Sequence, residues 1–203
     1  MAYTIGIDDC WFTADWHMGH NNIRTKFILR PFNSDDHMVD FILQRVMDRV
    51  PRGARLYHLG DMFWRTLPLE TAIRVMDALS AFQNFYIWGN HEELLKKHAV
   101  LRERFIWMEK YEMLRRDQQG RYPNIFLNHF AQRVWEKSGK GSWHLYGHSH
   151  DELPPKGLSF DVGVDTRPDF APYSIAEIAA KMATREIDQE NKELDQSKGG
   201  CVR

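Results

Sequence analysis

Phe12-Thr13-Ala14-Asp15-Trp16-His17 ends an apolar run with a carboxylate and an imidazole, one residue apart. A buried strand that finishes in this way offers two metal-ligating side chains at its C-terminal edge. Three later stretches finish alike: Leu56-Tyr57-His58-Leu59-Gly60-Asp61, Phe85-Tyr86-Ile87-Trp88-Gly89-Asn90-His91 and Leu145-Tyr146-Gly147-His148-Ser149-His150. Each is an apolar segment that stops at glycine or at a turn and then presents Asp, Asn or His. The pattern reads as several strand ends converging on one pocket that holds two metal ions.

The frame around these motifs is that of one ordinary domain. The chain has 203 residues, 43% hydrophobic and 27% charged, which allows a sizeable core. The formal net charge is -1, so no global basic field recruits nucleic acid and none of opposite sign repels a phosphate. Nucleic acid is thus admitted as a partner without being indicated by charge. No apolar run is long enough to cross a bilayer. Met1-Ala2-Tyr3-Thr4-Ile5 lacks the basic-then-apolar layout of a signal peptide. Cys10 and Cys201 are far apart and outside the ligand motifs. Inert thiols in a reducing compartment, and hence a cytoplasmic location, are expected.

Along the chain, residues 4–7 alternate weakly and Asp8-Asp9 reads as a turn. A strand is expected over 11–14. Ser34 can cap a helix whose apolar face is Val39, Ile42, Leu43, Val46 and Val50. Strands over 55–59 and 85–88 follow, separated by a helix that opens at Pro68 and turns Ile73, Met76 and Leu79 inward. A helix is expected from Glu92 to about Arg104. Strand and helix in alternation argue for parallel pairing with crossovers. The second half reads as a hairpin over 111–116 and 125–127, turning at Asp117-Gln118-Gln119-Gly120, with further strands over 143–146 and 158–164. Ser174-Ile175-Ala176-Glu177 is a capping box. The domain is expected to span 1–188, with 189–203 a polar, frayed tail.

Taken in order, Asp15-x-His17, Gly60-Asp61, Gly89-Asn90-His91-Glu92, His129 and Gly147-His148-x-His150 resemble the motifs of the calcineurin-like metallophosphoesterase family. The matching segments run from about Phe12 to His150. The resemblance implies an α/β fold in which two mixed β-sheets pack as a sandwich with helices on the outer faces, four layers in all. It implies a metal-dependent phosphoric ester hydrolase, in which a hydroxide held between two ions attacks phosphorus. Asp15, His17 and His150 would bind the first ion, and Asn90, His129 and His148 the second. Asp61 would bridge the two, and His91 would give a proton to the leaving oxygen.

The chemistry of that set is coherent. A carboxylate has two oxygens and a charge, so it can span two cations. A nitrogen and oxygen shell without thiolate suits manganese first, with iron, zinc or nickel as alternatives. Two ions roughly 3.5–4 Å apart can clamp the attacking and leaving oxygens of a phosphoryl transfer. Glu92 either orients His91 or is simply an acid favoured at a helix N-terminus. His129, in Leu127-Asn128-His129-Phe130, sits in the least distinctive motif, and His144 is its fallback.

His20 follows the first ligand pair directly and, with Arg24 and Arg30, is a candidate to meet substrate phosphate. Ordinary surface charge is the competing reading for both arginines. Trp16, Phe63, Trp64 and Trp88 adjoin the ligand motifs and could stack a nucleobase or simply pack. His37, His58 and His98 read as packed or surface residues. A short chain with little room for a cap favours a phosphodiester or nucleotide substrate. The rivals are a phosphomonoesterase, including a protein phosphatase, and a non-catalytic metal-stabilised interaction module.

Overall fold

A computed structural model of the chain describes residues 9–116 and 119–199. The alternation at 4–7, the Asp117-Gln118 half of the hairpin turn, Cys201 and the last residues of the tail lie outside the described residues.

The first half runs β1 (Cys10–Thr13), α1 (Asp35–Arg49), β2 (Arg55–His58), α2 (Leu69–Leu79), β3 (Gln83–Ile87), α3 (Glu93–Lys97), α4 (Ala99–Arg102) and β4 (Trp107–Glu109). The second half runs β5 (Tyr111–Leu114), β6 (Ile125–Asn128), β7 (Trp143–Tyr146), β8 (Ser159–Asp161), β9 (Tyr173–Ser174), α5 (Ile175–Met182) and α6 (Gln189–Gly199). One sheet has the order β4-β3-β2-β1-β9 and the other β5-β6-β7-β8. In the first, β1 to β4 are parallel and β9 joins antiparallel at the edge. In the second, β5 and β6 form the expected hairpin, while β6, β7 and β8 are parallel. The fold is therefore α/β with two mixed sheets.

Alternation along the strands divides the interior in two. Phe12, Tyr57 and Phe85 point from the first sheet toward the second and stack on one another, with ring centroids 5.2 and 4.8 Å apart. They share a core with Ile125, Leu127, Leu145 and Phe160 of the second sheet. On the opposite face, Leu56 and Tyr86 pack with Val39, Ile42 and Val46 of α1 and Val75, Met76 and Leu79 of α2. The helices start where their sequences say. Ser34 Oγ accepts the His37 N–H at 3.1 Å, with Asp35 and Asp36 in the first turn. The Ser174–Glu177 capping box is present.

Two expectations are corrected, and two strands were not foreseen. The helix foreseen from Glu92 is two short helices, broken at His98 by an extended backbone (φ -118°, ψ 104°). β4 and β9, of three and two residues, are too short to show periodicity in the sequence. In place of a frayed tail from 189, α6 begins at Gln189. Asn191 is buried there, and the backbone comes so close to Gly139 that a Cβ at that glycine would lie 2.3 Å from the Asn191 carbonyl oxygen. Glu190 also accepts from Arg133 and Lys156. The folded part therefore extends past 188.

Candidate metal centre

Five parallel strands, β1, β2, β3, β6 and β7, deliver polar side chains from the loops at their ends into one place. The loop after β1 carries Asp15 and His17, that after β2 carries Asp61, and that after β3 carries Asn90 and His91. The loop after β6 carries His129, and that after β7 carries His148 and His150. Donor atoms of Asp15, His17 and His150 lie within 4.8 Å of one another, and so do those of Asp61, His129 and His148. Asn90 joins the second group, its Oδ1 2.9 Å from His129 Nε2. Asp61 Oδ2 is 3.5 Å from His17 Nε2 and 3.5 Å from His129 Nε2, so one carboxylate oxygen faces both groups. The structure thus brings all seven expected side chains together.

The backbone is bent to achieve this. Asp15 (φ 58°), His17 (49°), Asp61 (57°), His148 (68°) and His150 (48°) all have left-handed conformations. Each costs on the order of 1–3 kcal/mol and persists only where the surroundings over-determine it. Close approach makes glycine obligatory at two points. A Cβ on Gly89 would lie 2.1 Å from Asp61 Oδ1, and one on Gly147 would lie 2.5 Å from Asp15 Oδ2.

The polar bonds aim lone pairs inward. The His148 N–H donates to Asp15 Oδ2 at 2.8 Å and the His91 N–H to Asp61 Oδ1 at 2.9 Å. Each carboxylate thereby spends one oxygen on the backbone and turns the other toward the histidines. His129 Nδ1 donates to the Leu59 carbonyl at 2.7 Å and His150 Nδ1 to Asp165 Oδ2 at 2.6 Å, which aims each Nε2 at the cluster, where it can ligate once its own proton is released. Asp15 Oδ1 and both ring nitrogens of His17 are buried without a hydrogen-bond partner. Such atoms require an explanation, and a cation among them supplies one. The electrostatics agree. Burial pushes the Asp15 carboxyl up to about 7. Burial would lower His129, but the Asp61 and Asp15 carboxylates outweigh it and hold the imidazole at about 9. Burial holds the His17 and His148 imidazoles below their ordinary range, which keeps their ring nitrogens able to ligate. Its all-nitrogen-and-oxygen donor set fits divalent ions of the manganese, iron, zinc and nickel kind.

Some of the neighbouring residues have other duties than those expected. Arg30 does not reach toward substrate. Its guanidinium is buried, bound to both oxygens of Asp165 and to the carbonyls of Trp16 and Asp15, each at 2.6–2.7 Å. Arg24 is used up by Asn21, Asp35 and the Phe32 and Asn33 carbonyls. Trp16 is fully buried, its indole N–H donating to Thr13 Oγ1, and offers no stacking face. Glu92 turns away from His91. Its carboxylate accepts from the backbone N–H groups of Asp61 and Gly89 and from the Tyr86 hydroxyl, clamping two ligand loops together. His144, the fallback ligand, is held in the core between the Phe126 carbonyl and the Gln132 N–H.

His20 and Trp64, in contrast, line a cleft of about 710 Å³ with His17, His91 and His150. Their rings stack, centroids 3.6 Å apart at 10°. Two residues went unforeseen. Asp165 fixes His150, and Asp161 accepts from Ser149 Oγ at 2.8 Å and from the Gly163 N–H at 2.7 Å, shaping the loop that carries His148 and His150. Both belong to another strand end, Phe160-Asp161-Val162-Gly163-Val164-Asp165, of the kind that flagged the other ligand loops.

No protein-family model and no curated protein matches the chain. Among solved structures, the crystal structure of the protein of unknown function AQ665 from Aquifex aeolicus is similar, with a TM-score of 0.63 at 21% identity. The match covers 85% of this chain and 98% of that one. The likeness is one of fold alone. Among the described residues, no helix is long and apolar enough to cross a membrane.

Proposed function

We propose that the chain is a dinuclear-metal phosphoesterase of the calcineurin-like kind, its two sheets forming the sandwich of that family, and that it hydrolyses phosphodiester or nucleotide substrates. The observation that carries this reading is the position of Asp61 Oδ2, 3.5 Å from a histidine nitrogen of each group. A structural metal site needs one closed shell. A carboxylate shared between two half-open groups fits a pair of ions that work on a common substrate.

Asp15, His17 and His150 would hold one ion and Asn90, His129 and His148 the other, with Asp61 between them. Manganese is the proposed resident metal. When bound, the pair supplies Lewis-acid stabilisation of charge developing on the phosphoryl oxygens. The protein does the rest by position. Asp15 and Asp61 are locked by backbone N–H groups, so neither carboxylate reorganises during the reaction. His91 is half-buried in the cleft, its ring centroid 5.7 Å from that of His17, and its backbone N–H is bonded to Asp61. Its main chain is therefore anchored to the bridging carboxylate, and its ring faces the cleft, where it can protonate a departing oxygen. The cleft is of ordinary ligand size.

Turnover of bis-p-nitrophenyl phosphate and p-nitrophenyl phosphate by manganese-loaded protein tests the proposal, with Asp61→Asn and His91→Ala alongside. Faster hydrolysis of the diester, lost in both variants, is expected. A faster monoester would make the chain a phosphomonoesterase. Turnover unchanged in both variants would refute the mechanism.

A further inference from the structure

A second cleft, of about 510 Å³, is lined by Trp88, Lys96, Lys110, Tyr111 and Phe130. Phe130 locates it. Its ring lies edge-on to His148 with centroids 4.6 Å apart, and 5.0 Å from His129. Both histidines belong to the second ligand group, whereas the first cleft is walled by His17 and His150 of the first group. The two clefts therefore adjoin the two ligand groups that Asp61 joins.

Their chemistry is alike. The first presents the Trp64–His20 stack and Phe27, 66% exposed, together with Lys26 and Arg65. The second presents Tyr111, 63% exposed, and Phe130, 42% exposed, together with its two lysines. Lysine and arginine supply four of the lining charges, Lys26, Arg65, Lys96 and Lys110, against one carboxylate, Glu152. That is a local excess on a chain of net charge -1. The exposed rings of Phe27, Tyr111 and Phe130 beside cations suit single-stranded nucleic acid, whose bases stack and whose phosphates pair.

We infer that the substrate is a single-stranded oligonucleotide cut at an internal phosphodiester, with the nucleotides on either side of the scissile phosphate seated in the two clefts. This rests on the phosphoesterase reading and narrows it. A mononucleotide or a cyclic nucleotide fills one cleft, and a phosphoserine side chain brings no planar group to either. In the reaction one water is consumed. Its oxygen bonds to phosphorus as one of its protons passes to solvent, one ester P–O bond breaks, and the leaving oxygen takes a proton from His91, which regains one from solvent. The products are one fragment ending in a phosphomonoester and one ending in a hydroxyl.

The test compares kcat/KM of the manganese-loaded full chain on bis-p-nitrophenyl phosphate, on a phosphoserine peptide, and on single-stranded oligothymidylates from the dinucleotide to about ten residues. The longer strands are expected to exceed the dinucleotide by about tenfold or more, and added salt to erode the gain. Tyr111→Ala and Lys110→Ala alter exposed side chains of the second cleft, so the fold survives. Tyr111→Ala should lower kcat/KM on the longer strands by about 5- to 100-fold, the equivalent of one lost stacking contact. Hydrolysis of the aryl diester together with oligothymidylate rates that do not rise with length, that neither variant lowers, or that fall below the phosphopeptide's, overturns the inference and leaves the phosphoesterase reading standing. No hydrolysis of any diester overturns the reading beneath it.

Discussion

Asp165 Oδ2 accepts the Nδ1–H of His150 at 2.6 Å. The same oxygen accepts from Arg30 Nη2 at 2.6 Å, and Arg30 goes on to bind the Trp16 and Asp15 carbonyls. One buried ion pair thus joins the loop after β1 to the loop after β7, the two that carry Asp15, His17 and His150. Burial alone would raise the Asp165 carboxyl, but His150 and Arg30 outweigh it and hold it at about 2.

Breaking this pair on one side leaves a buried charge. Arg30→Met is expected to cost about 3–5 kcal/mol in urea unfolding with chelator present. Asp165→Asn should weaken metal binding to the first group by about 10–100-fold, read by metal titration. Wild-type behaviour in both would show that the pair does not organise the site.

The stability of the metal-free protein should fall with acid through His144. Burial holds this imidazole at about 4, below its ordinary 6.5. Between those values the unfolded chain binds a proton that the folded chain does not, so stability drops as pH falls through the window. The contribution is about 3 kcal/mol across it. His144→Gln keeps an acceptor for the Gln132 N–H and does not titrate. Its unfolding free energy, measured from pH 6.5 to 4, should decline by that much less than wild type. Parallel curves would contradict the assignment.

Gly89→Ala tests the packing of the bridging carboxylate. The new Cβ would have to displace Asp61, 2.1 Å away at Oδ1. Metal content after dialysis against manganese should fall well below two ions per chain. Gly53→Ala is the control: nothing lies within 4 Å of its Cβ, and only its φ of +81° is strained. It should cost about 1–2 kcal/mol and keep its metal.

Two of the tryptophans that adjoin ligand motifs should fail differently. Trp16→Ala empties a fully buried site and should lose about 3–5 kcal/mol of stability. Trp64→Ala removes a cleft wall. Its unfolding midpoint should stay near wild type, while kcat/KM on nucleotide diesters falls by about 5- to 100-fold. Equal destabilisation of both would place Trp64 in the core.

The strand ends were legible because β-strands that stop at glycine and then present Asp, Asn or His carry their signal within a few residues. Asp15, Asp61 and His148 could be placed in that way, and parallel pairing with a later hairpin followed from strand–helix alternation, whereas the two-sheet layout was implied by the family resemblance alone. What a side chain reaches for was not legible. Arg30 meets Asp165 across 135 positions, and a basic stretch looks the same whether its guanidinium faces solvent or a buried carboxylate. Trp16 and Trp64 both flank ligand motifs, yet one lies under the sheet edge and the other above it. Glu92 follows His91 but points the opposite way, a matter of side-chain direction at a loop. α6 has no apolar stripe to announce it, because it is held by polar pairs and by its close approach to Gly139.

The most direct measurement is anomalous scattering from a crystal grown with manganese. Two peaks are expected, one against Asp15, His17 and His150 and one against Asn90, His129 and His148, with Asp61 touching both. A single peak, or two peaks that do not share Asp61, would contradict a binuclear centre.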